Sequence, residues 1–237
     1  MLKIENTDVT GWEAAVRGMR NPMNSWEKSD SVTKYYFDEC EGADNGVYRY
    51  SLGPNDLDLM TRLRDAGTDH RKFMRMITVY VDIVGPLYWW KEFDTYRVGV
   101  EKNSCSTMHK IHAKEFTLED FSCEHILKSK DVDSPYNSCC NWNWEGCGII
   151  APIDILDETI NMLNKARKMF LETKDKKYWW QMIQLLPSSY NQRRTVMLNY
   201  EVLANIYKSR KNHKLDEWHT FCDWIETLPY GKLITNL

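Results

Sequence analysis

Apolar and polar positions alternate with two different periods along this chain, and the period changes mark its elements. WEAAVRGMR (12–20) reads as a short helix followed by a turn at NPMNS. Between 38 and 56, Gly, Pro, Asn and Asp punctuate a loop, and DLDLMTRLRDAG then predicts a helix closed by Gly67. MITVYVDIVGP alternates and is rich in β-branched and aromatic residues, which predicts a strand ending near Pro86, with a helix over LYWWKEFDTYR behind it. From 104 to 151 the pattern is loop-like, apart from a short helix at TLEDFSCEHIL behind a threonine cap. The last third is helical: APIDILDETINMLNKARKMFLET, KYWWQMIQLLP, LNYEVLANIYKSR with Leu198, Val202, Leu203 and Ile206 on one face, and KLDEWHTFCDWIETLP. The sum is an α+β protein, a mixed sheet region flanked by helices with a helical C-terminal third. One domain over 1–237 is expected, with a Cys/Trp-rich insertion around 104–151.

Composition narrows the partners. With 237 residues, 43% apolar and 27% charged, the chain is long enough to bury a large core. A net charge of -3 supplies no basic field for nucleic acid or an anionic membrane. The longest apolar run, MITVYVDIVGPLYWW, is short of a membrane span and is interrupted by Asp82 and Pro86. MLKIENTDVTG lacks the regions of a secretory signal, so a cytoplasmic protein with reduced thiols is expected, despite its seven cysteines. Cys139, Cys140 and Cys147, with Cys105, Cys123, His109, His112 and His125, are zinc-ligand types. They form no CxxC pair and no second cluster at finger spacing, so packing in a Trp-rich loop is favoured and no metal is expected.

Hydrolase and phosphate-loop signatures are absent: there is no GxSxG, no HExxH and no Gly-rich phosphate loop. What needs explaining is LNYEVLANIYKSR. Two asparagines, Asn199 and Asn205, lie six apart beside an apolar stripe, and Arg210 closes the segment. Asparagine forms helices poorly and its buried amide needs partners, so these amides either cap backbone or face a ligand. Arg210 is either a ligand contact or a C-terminal cation favoured by the helix dipole.

The longer segment LPSSYNQRRTVMLNYEVLANIYKSR resembles the C-terminal signature of the flavin-dependent thymidylate synthases, the ThyX family. Leu186, Pro187, Asn199, Asn205 and Arg210 fall at the family's spacing without a gap. Upstream, TVYVDIVGPLYWWKEFDTYRVGVEKNSCSTMH repeats the family's order of strand, proline, helix, Arg-His-Arg motif and Ser/Asn/Glu loop, with Pro86 eleven residues before Arg97. WEAAVRGMR is similar to the family's N-terminal helix. The likeness runs over nearly the whole chain, excepting the region at 130 to 150.

The resemblance implies reductive methylation of dUMP to dTMP, with FAD as cofactor and NADPH and methylenetetrahydrofolate as co-substrates. By position, His70, Arg97, Asn199 and Asn205 would contact flavin. Glu92, Asn103, Ser106 and Arg210 would contact a pyrimidine nucleotide, with Arg210 catalytic. Family members are homotetramers with shared sites, and YWWKEF and KYWWQM would otherwise expose apolar surface on a monomer. The pattern also departs from the family. Thr95 and Tyr96 replace the first Arg-His, Glu92 replaces a glutamine, Ile183 an arginine, and Glu201 reverses the sign of an arginine on the flavin's phosphate side. Asn103 and Ser106 match only with a one-residue insertion, and then Ser104 and Met108 replace a glutamate and an arginine. Three lost charged hydrogen bonds would cost on the order of 5 to 9 kcal/mol unless replaced. Arg193, Arg194, Lys91, Lys102 and Lys110 are replacement donors nearby in sequence. The alternatives are therefore a catalytically altered or inactive nucleotide-binding module on the same fold, for which Trp89, Trp90, Trp142, Trp144, Trp179 and Trp180 would suit base stacking, or a related pyrimidine-modifying enzyme.

Overall fold

The computed structural model describes residues 2–36, 47–128 and 151–237. Cys139, Cys140, Cys147, Trp142 and Trp144, with residues 129–150 of the expected Cys/Trp-rich insertion, lie outside the described residues. The strands are β1 (Lys3–Thr10), β2 (Val32–Tyr36), β3 (Val47–Ser51), β4 (Thr78–Pro86), β5 (Val100–Ser104) and β6 (Asn191–Asn199). The α-helices are α1 (Trp12–Arg20), α2 (Pro54–Asp65), α3 (Leu87–Phe93), α4 (Pro152–Thr173), α5 (Lys176–Gln184), α6 (Tyr200–Arg210), α7 (Asp216–Thr227) and α8 (Lys232–Thr235). Four strands form one sheet in the order β1-β4-β6-β5, and β2 pairs antiparallel with β3, Val32 opposite Ser51 and Lys34 opposite Arg49. The α+β expectation is met. Among the described residues no helix is long and apolar enough to cross a membrane.

The chain forms two compact units: Met1–Lys3, Val84–Thr95 and Ser104–Arg194 in the first, and Ile4–Ile83, Tyr96–Asn103 and Thr195–Leu237 in the second. In the first, α3 buries Trp89, Trp90 and Phe93 completely. Trp90 Nε1 donates to the Gln192 carbonyl at 3.0 Å, and the amides of Leu87 and Tyr88 donate to the carbonyls of Tyr190 and Ser188. YWWKEF is thus core, against the expectation that it would be exposed. KYWWQM does keep Trp180 exposed. The long helix α4 turns Ile153, Leu156, Ile160 and Leu163 inward onto Phe116, Phe121 and Met182. It starts at a proline, whose missing N–H is no loss there, and the Asp154 carboxylate accepts from the Ala151 amide at 2.8 Å.

In the second unit, β4 buries Val79, Val81 and Ile83 at alternate positions, the period the sequence predicts. α1 adds Ala15, Val16 and Met19, and α6 and α7 add Leu203, Ile206, Trp218, Phe221 and Ile225. A charged knot is closed inside: Arg20 Nε donates to Asp56 Oδ1 at 2.6 Å, with side-chain exposures of 5% and 0%. Asp56 Oδ2 also accepts from the hydroxyls of Ser29 and Ser31 and from the amides of Asp30 and Ser31. Burial alone would raise this carboxyl, but hydrogen bonds from Ser31, Ser29 and Arg20 hold it below the ordinary carboxylate range.

Several elements differ from the pattern-based expectation. β1 and β6 were not expected; KIENTDVT is mostly exposed and NQRRTVMLN opens with polar residues, so neither shows a clean apolar alternation. VYRYS (47–51) is a strand inside the segment expected to be a loop. TLEDFSCEHIL yields only a single 3-10 turn, Leu118–Asp120, although Thr117 does cap it. LYWWKEFDTYR stops at Phe93, where the Thr95 hydroxyl takes up the Glu92 carbonyl. Leu198 is a strand residue, because α6 begins only at Tyr200.

Candidate functional site

In the second unit, the junction of β6 and α6 sets the geometry. Asn199 is the last strand residue and the N-cap of α6, and its Oδ1 accepts from the Val202 amide at 3.1 Å. The capping reading of this amide is therefore the observed one. Its Nδ2 faces Gly99, where a Cβ would stand 2.8 Å from Nδ2 and 3.2 Å from Val202 Cγ2. Gly99 also has φ +72°, a left-handed backbone that glycine adopts without strain. The loop carrying Thr95, Tyr96 and Arg97 is thereby pinned onto the start of α6.

Arg210 ends the same helix. Its Nε donates to the Tyr96 hydroxyl at 2.9 Å, and its guanidinium lies 4.6 Å from the Trp218 ring centre and 5.7 Å from that of Tyr96. Trp218 is fully buried and His213 packs edge-on to it at 6.2 Å. A planar cation held between aromatic faces and a phenol is fixed in orientation as well as position. Tyr96 replaces a family histidine, yet it is the residue that orients Arg210. The aromatic partner Trp218 carried no signal in the sequence, since nothing in its neighbourhood marks it.

Asn199, Asn205 and Arg210 do not form one row on a helix. Asn199 precedes the helix, and at about 100° per residue Asn205 lies about 140° from Arg210 around it. Asn205 is exposed and shares its side with Glu201, one turn earlier. Glu201 is buried and accepts from Arg71 Nε at 3.0 Å, with Arg75 Nε at 4.0 Å. Its sign reversal is thus answered locally, because one carboxylate meets two guanidinium groups. His70, immediately before Arg71, is exposed, as are Arg97 and Asn103. Glu92 and Ser106 belong to the first unit; Glu92 is half-buried and Ser106 is exposed.

Among the replacement donors, Arg194 is committed elsewhere. Arg194 holds Asp94 through two bonds at 2.9 and 3.1 Å and covers Trp90 at 4.3 Å. Ser106 sits at the mouth of a cavity of about 280 Å³ in the first unit, lined also by Cys105, Lys110, Ile111, Lys114, Phe116 and Tyr190. Burial pushes the Tyr190 phenol above its ordinary pKa, so it is a hydroxyl donor at neutral pH. Among the described residues, no group of three or more His, Cys, Asp and Glu side chains is arranged to hold a metal ion.

No sequence-family model matches the chain, and no curated protein matches it by sequence. Solved structures do match in fold. The flavin-dependent thymidylate synthase ThyX of Helicobacter pylori, complexed with FAD and dUMP, superposes with a TM-score of 0.61 at 15% identity, covering 98% of this chain and 97% of that one. A UMP/dUMP methylase, PolB of Streptomyces cacaoi bound with 5-Br UMP, superposes with a TM-score of 0.56 at 11% identity, covering 96% and 88%. The chain has the fold of these nucleotide-modifying enzymes along essentially its whole length.

Proposed function

We propose that this protein is a flavin-dependent enzyme acting on a pyrimidine nucleotide, with reductive methylation of dUMP to dTMP as the first candidate reaction. The observation that carries the reading is Arg210, oriented by Tyr96 and Trp218 on a fold shared with proteins bound to FAD and dUMP. FAD is the proposed cofactor, and NADPH and methylenetetrahydrofolate the proposed co-substrates. A cytoplasmic, single-domain homotetramer remains part of the proposal. The face of α4 with Ile155, Met162 and Met169 exposed at seven-residue intervals supports assembly.

The residues present fit an anionic dinucleotide. Around Glu201, the guanidinium groups of Arg71 and Arg75 outnumber the single carboxylate, so the position is net positive despite the reversed side chain. Exposed His70, Arg97 and Asn205, with the Asn199 Nδ2, would hold the flavin. Reduced flavin, when bound, supplies hydride. Arg210 does the part belonging to this chain: a fixed cation against a uracil carbonyl stabilises the negative charge that develops there when C5 becomes nucleophilic. Because Tyr96 and Trp218 fix the guanidinium beforehand, little reorganisation is needed during reaction.

A second reading, nucleotide binding without this turnover, is favoured by Thr95 and Tyr96 standing in place of two basic family residues. A visible spectrum of protein purified with FAD, followed by dUMP titration, separates the two. A bound flavin whose spectrum responds to dUMP supports the enzyme, and a colourless protein that binds dUMP supports the module. Loss of both ligands would sink both readings.

A further inference from the structure

The outer face of α4 presents a pattern of charge that its own chain does not answer. Ile155, Met162 and Met169 are 57%, 45% and 37% exposed and follow one another at seven-residue intervals. At about 100° per residue they fall within about 20° of one line along the helix, on the far side from the buried Ile153 and Ile160. Glu158 and Lys165 flank that line on one side, about 40° and 60° around from Met162. Thr159 and Ala166 flank it on the other side, short enough to let a second helix come close. Glu158 and Lys165 stand about 10 Å apart along the axis, too far to pair within one helix. Among the described residues, the Glu158 carboxylate accepts only from Asn161 Nδ2 at 3.4 Å, and the Lys165 ammonium reaches only the Met162 sulfur at 4.0 Å. Two opposite charges thus border an exposed apolar stripe, and neither meets the other.

We infer that α4 is a self-recognition surface whose occupant is α4 of a second copy of this chain, packed antiparallel about a two-fold axis at Met162. The register follows from the positions. With Met162 against Met162 of the partner subunit, Ile155 lies against the partner's Met169, and the symmetry repeats the contact. Glu158 lies about 6 Å before Met162 along the axis and Lys165 about 4.5 Å after it, so Glu158 comes opposite the partner's Lys165 to within about 1.5 Å. That pair is also made twice. A parallel partner would set the charged flank of one helix against the Thr159 and Ala166 flank of the other and leave all four charges unanswered. Opposite signs at nearly equal distances on either side of the central methionine make the surface complementary to itself in the antiparallel arrangement. The inference deepens the homotetramer proposed above and rests on that assembly, not on the reaction.

Sedimentation velocity of the full chain over a dilution series reads the association, with melting temperature and flavin spectrum taken on the same samples. Lys165→Glu and Glu158→Lys each oppose like charges across the two-fold axis. Each should weaken a step of association about tenfold or more at unchanged melting temperature. An equimolar mixture of the two variants should restore that step, because every cross pair is then opposite in sign. Met162→Cys should form a disulfide between copies on mild oxidation, identified by mass spectrometry as its peptide linked to itself, and Lys168→Cys, about 120° around the helix, should not. Association of native strength in both charge variants, a mixture that stays dissociated, or equal cross-linking at the two cysteine positions overturns the surface. A native chain that sediments as a monomer at every concentration overturns it as well. If the surface fails while a bound flavin still responds to dUMP, the enzyme reading stands. If the charge variants and their mixture behave as expected in a protein that binds neither ligand, the surface stands and the enzyme reading falls.

Discussion

Arg210 is held from two directions, and the two holds can be separated. Tyr96→Phe removes the phenolic hydroxyl that accepts from Nε while keeping the ring beside the guanidinium. A neutral partner lost to a charged donor is worth about 1.5 to 3 kcal/mol. The variant should bind dUMP roughly tenfold or more weakly with an almost unchanged melting temperature, read by titration calorimetry; unchanged affinity would show that Tyr96 does not position Arg210. Asn199 makes the opposite forecast. Removing an N-cap costs about 1 kcal/mol, so Asn199→Ala should lower stability in urea by about that amount, while Asn199→Asp, which keeps the Oδ1 acceptor, should not. At this scale the sequence was informative about which residues matter and silent about what they touch. The spacing of Asn199, Asn205 and Arg210 stood out. The Val202 amide, the Tyr96 hydroxyl and the Trp218 ring, which decide their roles, sit on partners whose proximity no spacing encodes.

Among the elements, the strand-to-helix junction at 199–200 depends on the close approach of the loop at Gly99. Gly99→Ala must place a methyl against Asn199 Nδ2 and Val202 Cγ2 on a backbone with φ +72°. The expected loss is about 1 to 2 kcal/mol, visible as a lower urea midpoint. A stable variant would mean that the loop moves away without cost. β4 and α1 were legible because their apolar residues follow one period over a full element. β6 and β1 were not, because a strand whose exposed face carries arginines, threonines and asparagines dilutes the alternation to a few positions. The helical pattern from Val202 to Ile206 then extended backwards over Leu198, which is buried in the sheet instead.

At the scale of the molecule, the Arg20–Asp56 knot ties acid stability to one carboxyl. Its pKa is depressed in the fold, so its contribution is fully present above the unfolded value of about 3.9 and is lost as pH falls through the lower native value. Denaturation midpoints measured downward from pH 7 should hold until about pH 4 from this source and then fall. Asp56→Asn should destabilise by about 3 to 5 kcal/mol at pH 7, since it strands a buried guanidinium, and should flatten the acid limb. An unchanged acid limb in that variant would remove the knot as its cause. The architecture was legible through a likeness spread over nearly the whole chain, whereas the cavity lined by Lys110, Lys114 and Tyr190 was not, because Tyr190 lies far along the chain from the two lysines.

Ten tryptophans would normally blur any optical signal, but two of them lie under guanidinium groups with different partners. Arg194 over Trp90 is fastened to Asp94, whereas Arg210 over Trp218 is bonded to Tyr96 and is the residue proposed to meet the nucleotide. The protein thus carries a fluorescent gauge and its own internal standard. A nucleotide that sets its own charge against the held Arg210 should change emission in the native chain and in Trp90→Phe, and leave Trp218→Phe dark to its arrival.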